Sequence, residues 1–251
     1  MKLVWAELLK VRTAPRTTLG LTLGLLGLVG LGAGATASDA GGDFREEIVA
    51  WDVLGVASVA AIFTLILGIL VVTWEYRHGT ITQTYLATPR RERVIGVKLA
   101  VSFLLGAVLA ALAIAVALVV ARFWLSYELE RDHLELAGRI VLGAALWSVF
   151  GAGLGALLQS QVGAIIASFV WFLVAEPIVA WQLESIGDYL PGSVLDRLQN
   201  QDVVEASSGD VVSRSVSGEP YSLMVAGLLA AGYAAALGLA GIVSALRRDV
   251  P

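Results

Sequence analysis

Five stretches of the chain carry no charged side chain: residues 17–37, 53–73, 99–121, 140–175 and 220–246. A bilayer hydrocarbon core about 30 Å thick is crossed by roughly 20 apolar residues of α-helix. Four of these stretches fit one crossing each. The stretch 140–175 is too long for one, and its polar middle, Gln159-Ser160-Gln161, divides it into 140–158 and 162–181 joined by a tight hairpin. The pattern predicts an all-α integral membrane protein with six transmembrane helices, at about 17–37, 53–73, 99–121, 140–158, 162–181 and 220–246. An even number of crossings places both chain ends on one side.

Ahead of the first span, Met1, Val4, Trp5, Leu8 and Val11 recur at the spacing of one helical face, with Lys2, Glu7 and Lys10 elsewhere on the cylinder. This predicts an amphipathic helix over residues 1–14 lying in the membrane interface. Pro15 suits a bend into the first span, because the residue before a proline is pushed out of helical geometry. Ala35-Thr36-Ala37 resembles a signal-peptide cleavage site. The amphipathic segment in front favours an uncleaved span instead.

Composition agrees with a membrane chain: 57% of residues are hydrophobic and 15% charged, against roughly 25% charged in an average soluble domain. Stretches between helices are all shorter than about 40 residues, so the chain reads as one membrane domain with loops. The absence of cysteine excludes a disulfide framework. The net charge of −4 conceals an asymmetry. Of the 17 basic residues, Lys2, Lys10, Arg12, Arg16, Arg77, Arg90, Arg91, Arg93, Lys98, Arg247 and Arg248 fall on one side of the predicted topology. Short basic loops resist translocation, so that side is expected to be cytoplasmic, with both termini inside. Most acidic residues fall on the other side. Trp51, Trp74, Trp124, Trp181 and Tyr221 stand near predicted span ends, where amphipathic rings anchor.

Gly20 and Gly24, Gly30 and Gly34, and Gly151 and Gly155 each form a G-x-x-x-G pair, a small face that lets membrane helices approach. Between the second and third spans, the loop 75–98 holds a second pattern. Thr80 and Gln83 have the form of a capping box, and Pro89 disfavours helix at Thr88. A short helix of about two turns is expected there, presenting Ile81, Tyr85 and Leu86. Exposed apolar side chains on a short helix suit either a docking knob or contact with the membrane surface.

That loop carries a resemblance. Glu75, Arg77, Gly79, Thr80, Ile81, Leu86, Pro89, Arg91 and Lys98, with Tyr85 on the same short helix, resemble the loop after the second helix in permease subunits of bacterial ABC-2 type transporters. The amphipathic start Glu7-Leu8-Leu9-Lys10, the turn at Gln159 to Gln161 and the outer Tyr189-Leu190-Pro191 are similar to other parts of the family. The segment 196–214 has no counterpart in it. The resemblance implies an ABC-2 type, type V exporter-like transmembrane domain in the bacterial cytoplasmic membrane. It implies a half-transporter that pairs with a second permease subunit, as homodimer or heterodimer, and with two copies of a separate ABC ATPase seated on the short helix. ATP and Mg are expected on that ATPase. The chain lacks a G-x-x-x-x-G-K-[ST] phosphate-binding loop, and no cofactor, metal or nucleic acid is expected on it. In the resembling family spans two and five line the pathway, which points to Phe63, Thr64, Ser168, Trp171 and Phe172. Export is the expected direction, and the cargo is left open.

Two other classes compete. An intramembrane enzyme needs facing catalytic groups, yet His78 and His133 fall in predicted loops on opposite sides, and two histidines without cysteine make no zinc or haem cluster. The glutamate pair Glu46-Glu47 of a prenyl-protein protease pattern lacks the following Arg. An ATP-independent channel should carry polar or charged rings within its spans, and Glu176 is the one charge near a span; a membrane scaffold remains open. Glu176 follows fourteen apolar residues, which rise about 21 Å, so it is expected in the outer third of the membrane, where an acidic group costs less than the roughly 2.5–3.5 kcal/mol of the centre. Pro177 can bend or stop the helix after it. Either a structural carboxylate bonded to a backbone N–H or water, or a part of an outer gate, fits that position.

Overall fold

The computed structural model describes residues 5–7, 9, 15–38, 52–88, 90–124, 131–199 and 221–247. Among the expectations above, those on Met1 to Val4, Leu8, Lys10, Val11, Trp51, Pro89 and 200–219 lie outside these residues. The described chain is helical, without a strand. Among the described residues six helices are long and apolar enough to cross a membrane: Thr17–Ser38, Asp52–Arg77, Arg91–Phe123, Arg131–Leu158, Gln161–Gln182 and Leu223–Arg247. The chain is thus built as an all-α, multi-pass membrane protein. In the elements used below, α1 is Pro15–Ser38, α2 Ala60–Arg77 (continued from the 3-10 turn Val56–Val59), α3 Ile81–Ala87, α4 Arg91–Trp124 and α5 Arg131–Leu158. The fifth span, α6, is Gln161–Gln182. Two short helices follow, α7 (Glu184–Gly187) and α8 (Pro191–Gln199), before α9, Leu223–Arg247.

Each span matches its charge-free stretch, but α4 and α5 begin earlier than expected. Charged residues stop a helix from lying deep in lipid without stopping it from being a helix. α4 therefore starts at Arg91 and α5 at Arg131. This corrects two loop assignments: Lys98 lies two turns inside α4, and His133 lies in the first turn of α5, where it is buried. The hairpin between α5 and α6 is as tight as expected. Gln159 adopts a left-handed φ of 55°, and the Ser160 hydroxyl accepts from the Gly163 N–H at 3.2 Å to cap α6.

The fourth span is the hub. Most of the span Arg131–Leu158 is buried, whereas most of the first and fifth spans is not. Small residues make this possible. On one face, a Cβ on Gly151 would meet the Leu65 carbonyl, and one on Gly155 would stand 3.2 Å from the Ile69 carbonyl of α2. Gly68 of α2 answers by admitting the Ser148 carbonyl. On the opposite face, Gly153 admits the backbone of Leu237 and Gly238 in α9. The 151/155 pair is therefore a helix contact. Of the other two pairs, Gly24 faces Phe63 and Gly30 faces Val116, while a side chain on Gly20 or Gly34 would meet nothing within 4 Å.

Candidate functional site

The basic end of the bundle gathers the residues that the sequence pattern singled out. α2 runs one turn beyond its apolar stretch and stops by a glycine-based C-terminal motif. Gly79 takes a left-handed φ of 68°, the Thr80 N–H donates to the Glu75 carbonyl at 3.0 Å, and the Gly79 N–H donates to Tyr76 at 3.4 Å. These two bonds satisfy carbonyls that the helix end leaves free, and the geometry favours a residue without Cβ. Gly79 thus has a local backbone role, which the motif reading did not contain.

The helix stop leaves Glu75 on the inner face, where it meets Lys98. The Lys98 ammonium lies 3.2 Å from Glu75 Oε1 and donates to Glu7 Oε2 at 2.7 Å. It also lies 3.5 Å from the Val71 carbonyl. Lys98, Glu7 and Glu75 are 1%, 3% and 4% exposed. A buried ammonium is tolerated only with such partners, because desolvation of an uncompensated ion costs several kcal/mol. One lysine of α4 thereby ties the N-terminal segment to the end of α2. On that segment Trp5 and Leu9 point away from the bundle, in keeping with an apolar face turned to lipid. Lys98 entered the resemblance as a loop residue; its role as the centre of a buried ionic junction was not legible, since its partners are 91 and 23 residues away.

The short helix is present as α3, Ile81–Ala87, and Thr88 is extended as a residue before proline should be. Two expectations about it are corrected. Thr80 makes no side-chain cap bond. Ile81 and Tyr85 are not exposed: they are 3% and 8% exposed and pack with Val94 and Tyr76. A seven-residue helix is marginal alone, so it spends its apolar face on its own chain. The Tyr85 and Tyr76 hydroxyls lie 3.1 Å apart, and the Arg91 guanidinium sits 5.2 Å above the Tyr85 ring. Burial pushes the Tyr85 hydroxyl above the usual phenol range, so it is a neutral hydrogen-bonding group. Leu86, by contrast, is 79% exposed. Arg77, Thr80, Gln83, Arg90 and Arg93 are exposed as well.

Further bonds join the remaining spans here. Arg77 Nη1 donates to Gln161 Oε1 at 3.2 Å at the start of α6. Arg91 Nη1 donates to the Ala245 carbonyl at 3.2 Å, a cation at the C-terminal end of α9 where the helix dipole favours it. α3 thus sits on a platform to which four spans contribute.

The five residues expected along the pathway have different surroundings. Phe63 packs between the first and third spans. Thr64 and Ser168 are buried, and each hydroxyl donates to a carbonyl of its own helix, Ala61 at 3.0 Å and Ala164 at 2.8 Å. The Phe172 ring packs at a tilt against Trp147, with ring centroids 4.6 Å apart. Trp171 lies at the surface of the bundle, and its indole N–H donates to Glu176 Oε2 at 2.9 Å. Glu176 is 5% exposed, and its Oε1 accepts from the backbone N–H of Ser193 at 2.9 Å. The Glu176 carboxylate is thus bonded to a backbone N–H and to an indole N–H. A π-helical turn, Trp171–Ala175, precedes it. Pro177 lacks an N–H and its ring clashes with the carbonyl four residues back, and the wide turn absorbs both effects without ending the helix.

Among the described residues no group of three or more His, Asp or Glu side chains could hold a metal. His78 and His133 stand at opposite ends of the bundle, and His78 Nδ1 lies 2.8 Å from the Trp74 carbonyl. Comparison with protein-family models finds no match, and no curated protein is significantly similar.

Proposed function

We propose that this chain is the permease subunit of an ATP-driven exporter of the ABC-2 type, working as a pair with a second permease and driven by a separate ATPase bound at α3. The observation that carries this reading is the mechanical construction of the basic end. A short helix projects Leu86 outward while its other face is bonded to α2, α4 and, through Arg91, α9. A push on α3 would reach three spans without passing through a loose loop. The low burial of the first and fifth spans leaves apolar surface for lipid or a second copy. In this reading the basic end faces the cytoplasm and no part of the chemistry of ATP is done by this chain.

The burial of Ile81 and Tyr85 changes which side chain tests the reading. Leu86→Ala removes the apolar group that points outward and leaves the Ile81, Tyr85 and Val94 packing intact. Burying a leucine is worth about 1.5–3 kcal/mol, so the variant should bind a copurifying ATPase at least about tenfold more weakly. Pull-down of a candidate ABC ATPase from the same cells by tagged parent, Leu86→Ala and the outward Leu183→Ala control measures this. Equal capture by all three would remove α3 as the docking element.

A further inference from the structure

We propose that Glu176 is the latch of an outer cap: its carboxylate, inside the fifth span, holds the start of α8 down over the outer end of the bundle. α8 is bound at both ends by different spans. At its start Glu176 Oε1 accepts from the Ser193 N–H in the first turn, where free N–H groups and the helix dipole favour a negative charge. At its finish Gln199 Nε2 donates to the Ile140 carbonyl of α5 at 3.4 Å. Between them Val194, Leu195 and Leu198 are buried against the bundle. The turn leading in is held by the sixth span, with the Tyr233 hydroxyl donating to the Tyr189 carbonyl at 2.6 Å and the Tyr221 hydroxyl donating to Asp188.

Three details single out the carboxylate as the device and not as incidental packing. A buried acid is costly, and a serine at the start of α8 could cap that helix without one. The carboxylate instead belongs to another span, so the bond reports the position of α6 to α8. Gly192 is shaped to it: a Cβ there would stand 2.5 Å from Glu176 Oε1. A π turn immediately precedes Glu176, and Trp171 within that turn donates to the second oxygen. A change in the turn would move the latch directly.

Because the chain has no cysteine, cap closure can be read by disulfide formation. A Cβ on Gly143 would lie 2.6 Å from Gln199 Cγ, so Gly143→Cys with Gln199→Cys should cross-link α8 to α5 under mild oxidation in membranes. Leu99→Cys with Gly238→Cys, across the α4 to α9 contact where the nearest atoms to a Cβ on Gly238 belong to the Leu99 side chain, reports the bundle itself. With Glu176→Ala or Gly192→Ala added, the cap pair should cross-link more slowly, by up to about tenfold, the scale of one lost hydrogen bond to a carboxylate. The bundle pair should be unchanged. An unchanged cap rate in both variants overturns the latch. So does an equal loss at both pairs, which would make Glu176 a support of the bundle. The readout needs no transport assay, so it stands or falls separately from the exporter reading.

Discussion

A lysine with almost no exposed surface is the most consequential single residue in the chain. Lys98 is held by Glu7 and Glu75, and a buried pair broken on one side loses about 3–5 kcal/mol. Lys98→Met should therefore lower the midpoint of thermal unfolding in detergent markedly, measured by fluorescence-detected size exclusion. Adding Glu7→Gln to it should recover part of the loss, since the second change removes a carboxylate left without its ammonium. Strict additivity of the two single changes would mean that the 2.7 Å contact contributes no coupling. The residue types of this junction were visible in the sequence, and Glu75 and Lys98 stood in the quoted pattern. Their contact was not, because it depends on α4 starting at Arg91 and on the N-terminal segment folding back.

Helix pairs in lipid are held by close packing more than by a hydrophobic drive, so the glycines rank by what lies over them. Gly68→Ala would drive a Cβ into the Ser148 carbonyl and is expected to cost about 1–3 kcal/mol or more, the range for overpacking. Gly20→Ala, with nothing within 4 Å, should leave stability unchanged. Comparing the two by thermal unfolding and by expression level separates a packing glycine from a tolerated one; equal behaviour would contradict the α2 to α5 contact. Spacing alone presented three G-x-x-x-G pairs as equivalent, and the structure distinguishes them, because a small face matters only where another backbone comes to it. The same limit applied to α3. Its existence and its end before Pro89 were legible from turn chemistry, whereas the side it would turn inward depended on Val94 and Tyr76 meeting it.

At the scale of the molecule, the exporter reading requires α3 on the cytoplasmic side, which is the side that the charge asymmetry predicts. Gln83 and Ser185 are exposed at opposite ends of the bundle. In intact cells an impermeant maleimide should label Ser185→Cys and should label Gln83→Cys only after the membrane is opened. The reverse result would invert the topology and with it the exporter reading. The bundle is organised around α5, with the first and fifth spans peripheral. A half-transporter would use that peripheral surface to meet its partner.

By itself the sequence determined the all-α membrane class of the protein, the number of its spans and their apolar stretches, the hairpin at Gln159 to Gln161 and the short helix before Pro89. All of these follow from local rules: apolar length against bilayer thickness, turn residues, and the backbone restrictions of proline. Only the tertiary structure decided that Lys98 is a buried tie and not a loop cation, that Ile81 and Tyr85 turn inward, that Gly151 rather than Gly20 is a contact, and that Glu176 holds the start of α8. Each of these is a meeting of residues far apart in the chain, and periodicity carries no information about which helix comes to lie against which.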